Sequence, residues 1–326
     1  MTRVAVMGAG AVGSYLGSRL ATAQADVHFV ARGLHLAALR ERGLTLITPD
    51  GATTTPVSAT DDLASIGPVD IVLFCVKSYD TEAAAAQLRP LVGPKTVVLS
   101  IQNGIENEAN IVAAIGAEHV LGAATYILAA IESPGVVRSG AARIVLGELH
   151  QGPPSERAMA IAELFNAGGV AATAVPDVRL AKWDKYVLLV AFSAVTAATQ
   201  LTVGDIRGSV AASGMLRAIM AEAWSIGRAL GVPLADDLVE RAHKLVLVQD
   251  DDEGTSLRHD LLTGHRMELE ALQGTLRRLG RETGIATPWT DAAYAVLEPW
   301  AHRNERRSPS AATGTAAAGA AAGAPA

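Results

Sequence analysis

Arg3-Val4-Ala5-Val6-Met7-Gly8-Ala9-Gly10-Ala11-Val12-Gly13 is a short apolar strand running directly into Gly-x-Gly-x-x-Gly. In a strand-turn-helix unit, Gly8 permits the tight turn, Gly10 lets the backbone approach a pyrophosphate, and Gly13 lets the helix pack closely on the strand. Glycine-rich turns are common, so the motif needs its context. That context is present: Ser14 to Ala23 carries Tyr15, Leu16 and Leu20 at helical spacing, with no Pro or Gly after Gly17. Gly8, Ala9, Gly10, Ala11, Val12 and Gly13 would line the diphosphate of a dinucleotide, which rests on the free N–H groups of the helix start.

The second strand of this unit reads Val27 to Ala31, and the residue at its end separates the two nicotinamide cofactors. An NAD site wants a carboxylate there to accept hydrogen bonds from the ribose hydroxyls. The position, 19 residues after Gly13, is Arg32, and no Asp or Glu occurs from Val27 to Arg40. The expectation is NADPH, with the solvated loop cation as the competing reading of Arg32.

The chain has 326 residues, half of them hydrophobic, enough for two domains and a sizeable core. A net charge of -6 with no basic stripe argues against nucleic acid or an anionic membrane as a partner. No apolar run approaches the ~20 residues of a membrane span. The N-terminal apolar stretch is broken by glycines and is wrong for export, and the single cysteine, Cys75, excludes an intrachain disulfide, so a cytoplasmic location is expected. The closest histidine pairs, His259 with His265 and His28 with His35, lack a third ligand, and no metal is expected.

Further strands are expected at Ile71 to Val76, Thr96 to Ile101 and His119 to Thr125, alternating with helices at Asp80 to Leu91 and Asn107 to Ile115. Such alternation means an α/β doubly wound parallel sheet. Val136 to Leu146 reads as an added antiparallel edge. From Val178 the pattern turns helical: Leu180 to Thr199, Ser213 to Leu230, Leu234 to Gln249, Thr255 to Thr263, Arg266 to Gly284 and Thr290 to Trp300. The expected division is a nucleotide-binding domain over 1–176, an all-α domain over 177–307 and a disordered Ala/Gly-rich tail over 308–326.

Three places carry polar groups that a bland fold does not need. Lys77 follows an entirely apolar strand, and Gln102-Asn103-Gly104 ends another. Ligands of doubly wound sheets bind beyond the carboxyl ends of strands, although a solvated lysine and a plain turn pair explain the same residues. The third is Lys185, the last charge before a mostly apolar run reaching Ala198. It either snorkels to solvent or serves a cleft, where desolvation would lower its pKa and suit it to protonate a developing alkoxide.

Together these residues resemble the ketopantoate reductases (2-dehydropantoate 2-reductases) of the 6-phosphogluconate-dehydrogenase-like group. The resemblance runs to about Trp300 and rests on the glycine loop, Arg32, Lys77, Gln102-Asn103-Gly104, Pro134-Gly135 and Trp183-x-Lys185. It continues with Ser256-Leu257-x-x-Asp260, Gly264-x-Arg266-x-Glu268-Leu269-Glu270-x-x-x-Gly274 and Gly284-Ile285-x-Thr287-Pro288. It implies an N-terminal Rossmann sheet binding NADPH, followed by a helical domain, with a 2-oxo acid reduced in the cleft between them. By the same resemblance Lys185 protonates the ketone oxygen and Glu268 holds the substrate hydroxyl. Ser256 helps bind the carboxylate, and Asn103 and Lys77 line the nicotinamide and substrate pocket.

On the residues alone, Ser256 also reads as a helix N-cap and Glu268 as an exposed helix acid. Twelve positions on one unbroken helix span about 18 Å, so a break at Gly264 is a condition of both roles. The chain also departs from the family pattern. Leu189 and Ser193 stand on the Lys185 face where the family commonly has asparagines, and Gln273 replaces another. The substrate-binding set is therefore Asn103, Lys185, Leu189, Ser193, Ser256 and Glu268, in a pocket less polar than usual. Reduction of 2-dehydropantoate to pantoate, for pantothenate synthesis, is the leading expectation, by a monomer or homodimer. A relative reducing another carbonyl or an imine, and a non-catalytic NADP(H)-binding sensor, are the alternatives.

Overall fold

The computed structural model describes residues 1–307, and within them twelve strands form two sheets. The main sheet contains β1 (Arg3–Met7), β2 (Asp26–Val30), β5 (Ser58–Thr60), β6 (Val69–Phe74), β7 (Val92–Ser100), β8 (Val120–Tyr126), β11 (Arg143–Gly147) and β12 (Ala171–Ala174). Their order is β12-β11-β8-β7-β6-β1-β2-β5, and every pairing is parallel except β11 against β8. The central strands are buried on both faces, with Val4, Ala5, Val6, Val72, Leu73 and Val98 fully enclosed. Because β1, β6, β7 and β8 run in parallel, their carboxyl ends meet on one edge.

A small second sheet, in the order β4-β3-β10-β9, uses β3 (Leu44–Thr48), β4 (Gly51–Thr55), β9 (Ala129–Ser133) and β10 (Val136–Ser139). This corrects the expected single edge over Val136 to Leu146. The stretch divides around Gly140: β10 joins the small sheet and β11 pairs with β8. The short Thr-rich and Ala-rich strands of the small sheet have too little alternation to be read from sequence.

The flanking helices are α1 (Ala11–Thr22), α2 (Gly33–Arg42), α3 (Thr81–Ala85), α4 (Asn107–Ile115) and α5 (Glu156–Ala167). The helix expected over Asp80 to Leu91 shrinks to α3, because Pro90 cannot continue it and the chain tightens into a 3₁₀ turn at Arg89–Leu91. After β12 the chain is helical: α6 (Val178–Thr199), α7 (Val203–Gly208), α8 (Val210–Ala229), α9 (Leu238–Leu247), α10 (Ser256–Thr263), α11 (Thr275–Thr283) and α12 (Pro288–Arg307). Their core gathers around Tyr186, Val187, Val190, Leu216, Ile219 and Leu276.

The helix expected from Arg266 to Gly284 is also corrected. Gly264 adopts φ +75° and ends α10, and residues 265–268 run outside any helix. A π-helical turn at Glu270–Gly274 then leads into α11. Burial of Met267 and Leu269, at 6% and 2% exposure, packs this segment with Leu257 and Leu261 of α10 and Tyr294 and Leu297 of α12. The disordered tail expected over 308–326 lies outside the described residues.

The glycine loop packs as its spacing requires. A Cβ on Gly13 would lie 2.4 Å from the Gly8 carbonyl oxygen, whereas one on Gly10 would meet nothing within 4 Å. Gly13→Ala is therefore expected to lose about 1–3 kcal/mol in chemical denaturation and Gly10→Ala less than about 0.5 kcal/mol; equal losses would contradict this packing.

Candidate active site

Gly8 turns with φ +94°, and a Cβ there would sit 2.8 Å from the backbone nitrogen of Val76, so β1 and β6 approach through it. Gly10 caps α1 without a side-chain hydrogen bond, and the first turn carries no acid. The helix start thus keeps N–H groups and a positive dipole end for an anion. Arg32 stands exposed at the N-cap of α2 and pairs with no carboxylate among the described residues. Open space above Gly10, the uncapped helix and this arginine together fit a phosphorylated dinucleotide.

The loops after β6 and β7 are tied to one another before any ligand enters. Gln102 Nε2 donates to the Val76 carbonyl at 3.0 Å and to Thr81 Oγ1 at 2.7 Å. Thr81 Oγ1 in turn donates to Asn107 Oδ1 at 3.3 Å, and Asn107 Nδ2 donates to the Asn103 carbonyl at 2.7 Å. These groups are buried, so each bond also removes a desolvation cost. Lys77 and Asn103 therefore project from a fixed ledge.

Helix α6 lies against this ledge and supplies two lysines on one face. Lys185 is half-buried, and its Nζ donates to Asn103 Oδ1 at 2.7 Å and to the Thr125 carbonyl at 2.5 Å. The Tyr126 ring centre lies 5.7 Å away. Burial pushes the Lys185 ammonium down to about 8; the neighbouring Lys182 charge adds to this, and Glu268 opposes it. Lys182, one turn earlier, is ion-paired with Glu108 from α4, both side chains being 6% exposed. Sequence reasoning missed this pair. The one signal was the three-residue spacing from Lys182 to Lys185, which puts both on a single helix face.

Glu268 is a buried loop acid, not the exposed helix acid that was one reading of it. Its Oε1 accepts from the Ser78 backbone N–H at 2.8 Å and its Oε2 from Lys77 Nζ at 3.2 Å. Lys77 also donates to Asp260 Oδ2 at 3.0 Å. Burial lowers the Lys77 pKa, but the two carboxylates outweigh it and hold the ammonium above its usual range. Burial raises the Asp260 carboxyl, with Lys77 opposing. This cluster joins the sheet to the helical half. Asp260 stood in the sequence motif without a role, and only the fold brings it to Lys77.

The other expected residues make no hydrogen bond to the Lys77, Asp260 and Glu268 cluster. Leu189 lines, with Lys185, Asn103 and Lys182, a cavity of about 10 Å³. Ser193 is 1% exposed; its Oγ donates to the Val190 carbonyl at 3.2 Å and accepts from Gln273 Nε2 at 2.8 Å. Gln273 is fully buried, and its Oε1 has no partner. Ser256 is exposed in the first turn of α10, and the N-cap reading of it is corrected: Thr255 accepts the capping bond from the Arg258 N–H at 3.3 Å. Among the described residues, no group of three or more His, Cys, Asp or Glu could hold a metal, and no helix is long and apolar enough to cross a membrane.

A glycine-loop parallel sheet whose carboxyl edge faces a lysine on a helical half is the architecture of a nicotinamide-dependent oxidoreductase. The family described as ketopantoate reductase PanE/ApbA matches residues 4–151, and its C-terminal counterpart matches residues 177–300. The chain belongs to the ketopantoate reductase family, whose members are NAD(P)-dependent reductases. It is 34% identical to the 2-dehydropantoate 2-reductase of Halobacterium salinarum, over 88% of this chain and 94% of that one. With the enzyme of the same description from Caulobacter vibrioides identity is 35%, over 91% and 98%. The crystal structure of a PanE/ApbA family ketopantoate reductase from Ralstonia eutropha superposes with a TM-score of 0.85 at 33% identity, over 93% and 99%.

Removing the Lys77 charge leaves two buried carboxylates facing each other. Lys77→Met is expected to lose about 1–3 kcal/mol in denaturation at pH 7.5, discounted because Lys77 is partly exposed. The loss should shrink as pH falls toward the carboxylate range, where Asp260, its carboxyl raised by burial, takes up a proton and relieves the repulsion. A loss independent of pH would contradict the pairing.

Proposed function

We propose that the protein is an NADPH-dependent reductase that converts 2-dehydropantoate to pantoate in the cleft between its two halves. The observation that carries this reading is Lys185. Its ammonium is held by Asn103 Oδ1 and the Thr125 carbonyl at the carboxyl edge of the sheet, with its pKa lowered to about 8. A lysine titrating there is protonated at neutral pH and still a usable acid.

NADPH supplies the hydride when bound. The residues of this chain supply the rest. Gly8 to Gly13 and the start of α1 hold the diphosphate, and Arg32 meets the 2′-phosphate. Lys185 donates a hydrogen bond to the ketone oxygen, stabilises the negative charge that grows on it, and transfers a proton from Nζ to give the hydroxyl. Asn103 orients that ammonium. Lys77 and Glu268 close the cleft between the halves, which excludes water, with Glu268 as the acceptor for the substrate hydroxyl and Ser256 as a carboxylate contact.

A second reading, reduction of a 2-oxo acid with an apolar side chain, is favoured by Leu189 beside Lys185 and by the engagement of Ser193 with Gln273. Neither Leu189 nor the occupied serine offers an amide to a substrate hydroxyl, and a missing partner of that kind weakens selection for the group.

NADPH oxidation across a panel of 2-oxo acids tests both readings, and oxidation with none of them would sink both. Lys185→Ala is expected to lower kcat at least about a hundredfold while NADPH still binds. In the parent enzyme kcat/KM should fall as pH rises through about 8, because the donor loses its proton there. Arg32→Ala should weaken NADPH by about tenfold or more and leave NADH unchanged; equal loss of both would remove the 2′-phosphate contact.

A further inference from the structure

Lys182 and Glu108 are the most deeply buried ion pair among the described residues, at 6% side-chain exposure each, and nothing in the reaction above uses them. Burying two charges costs several kcal/mol, and their attraction seldom returns more than it costs, so apolar side chains would join α6 to α4 at least as well. Their position distinguishes them. Lys182 precedes Lys185 by three residues, so the two ammonium groups share one face of α6. Both lysines line the same cavity, of about 10 Å³, the room of one water, together with Asn103, Gln102 and Leu189.

We propose that the Lys182–Glu108 pair is a positioning pair for Lys185, fixing its ammonium at the carboxyl ends of β7 and β8 and setting the charge around it. The inference rests on the reading of Lys185 as proton donor.

The groups facing Lys185 can be named from each element packed against it. Asn103 follows β7 and offers its Oδ1, while β8 offers the Thr125 carbonyl and the Tyr126 ring, on which Arg143 stacks at 3.9 Å. Glu268 contributes an opposing charge, and Lys77 already engages it. From α6 itself comes Lys182, and behind it Glu108 of α4. Lys182 thus adds positive charge close to Lys185, in a medium where water screens little. Glu108 keeps that charge in place by making a buried second ammonium tolerable. The pair also anchors α6 to the sheet half one turn before Lys185, which limits the distance between its ammonium and Asn103.

The test compares the full-length parent with Lys182→Met, Lys182→Arg and the double variant Lys182→Met with Glu108→Gln. The double variant leaves no unpaired buried charge, so it carries the test if the single one folds poorly. Two readouts are taken: the titration of the Lys185 Nζ in lysine-labelled protein by NMR, assigned with Lys185→Arg, and the pH profile of kcat/KM. Without the Lys182 charge both midpoints should rise by about half a pH unit or more, and arginine should restore the parent value. An unmoved Lys185 titration in both methionine variants overturns the proposal. A shifted titration in an enzyme whose kcat/KM has no basic limb upholds it and overturns the proton-donor reading instead.

Discussion

Three lysines are held at the seam between the sheet and the helical half, and the site depends on each finding oxygen partners there. Lys77 meets two carboxylates, Lys182 meets Glu108, and Lys185 meets an amide and a backbone carbonyl. The difference in partners decides the difference in chemistry. A lysine between carboxylates is held protonated and acts as a strap, whereas one given only neutral acceptors under partial burial approaches its titration near neutral pH.

These pairings work because the ledge beneath them does not depend on a ligand. Gln102, Thr81 and Asn107 connect the loops after β6 and β7 through buried hydrogen bonds, and α6 has one side in the helical core while its lysines face the sheet. Groups locked in this way need little reorganisation when charge develops nearby, which is where electrostatic stabilisation is most effective. The seam also separates tasks. The glycine loop and Arg32 flank the starts of α1 and α2, and the three lysines cluster where the two halves touch.

The side chains near Lys185 leave few free polar groups. Ser193 and Gln273 hydrogen-bond to each other inside the core, and Leu189 presents an apolar face to the cavity. Gln273, whose Oε1 is unpartnered, belongs to the π-helical turn, a backbone irregularity frequent at functional sites.

The doubly wound sheet and the glycine loop were legible in the sequence because their signals are local: strand, tight turn and helix follow within a dozen residues, and each glycine has a steric reason. The start of the helical half was legible for the same reason, in the apolar spacing of α6. Arg32, Lys77, Asn103 and Lys185 could be singled out one by one, as polar residues at strand ends or beside an apolar run. Their assembly could not. Asp260 and Glu268 reach Lys77 across more than 180 residues of chain, and Glu108 reaches Lys182 across 74. The loop conformation of Glu268 followed from the break at Gly264 and the burial of Met267 and Leu269, which helical spacing alone misread. By itself the sequence determined the elements and the polar residues they carry, since short-range sterics and periodicity decide those. Which charges meet was settled by the tertiary structure alone, because pairing depends on burial and on contacts between residues far apart in the chain.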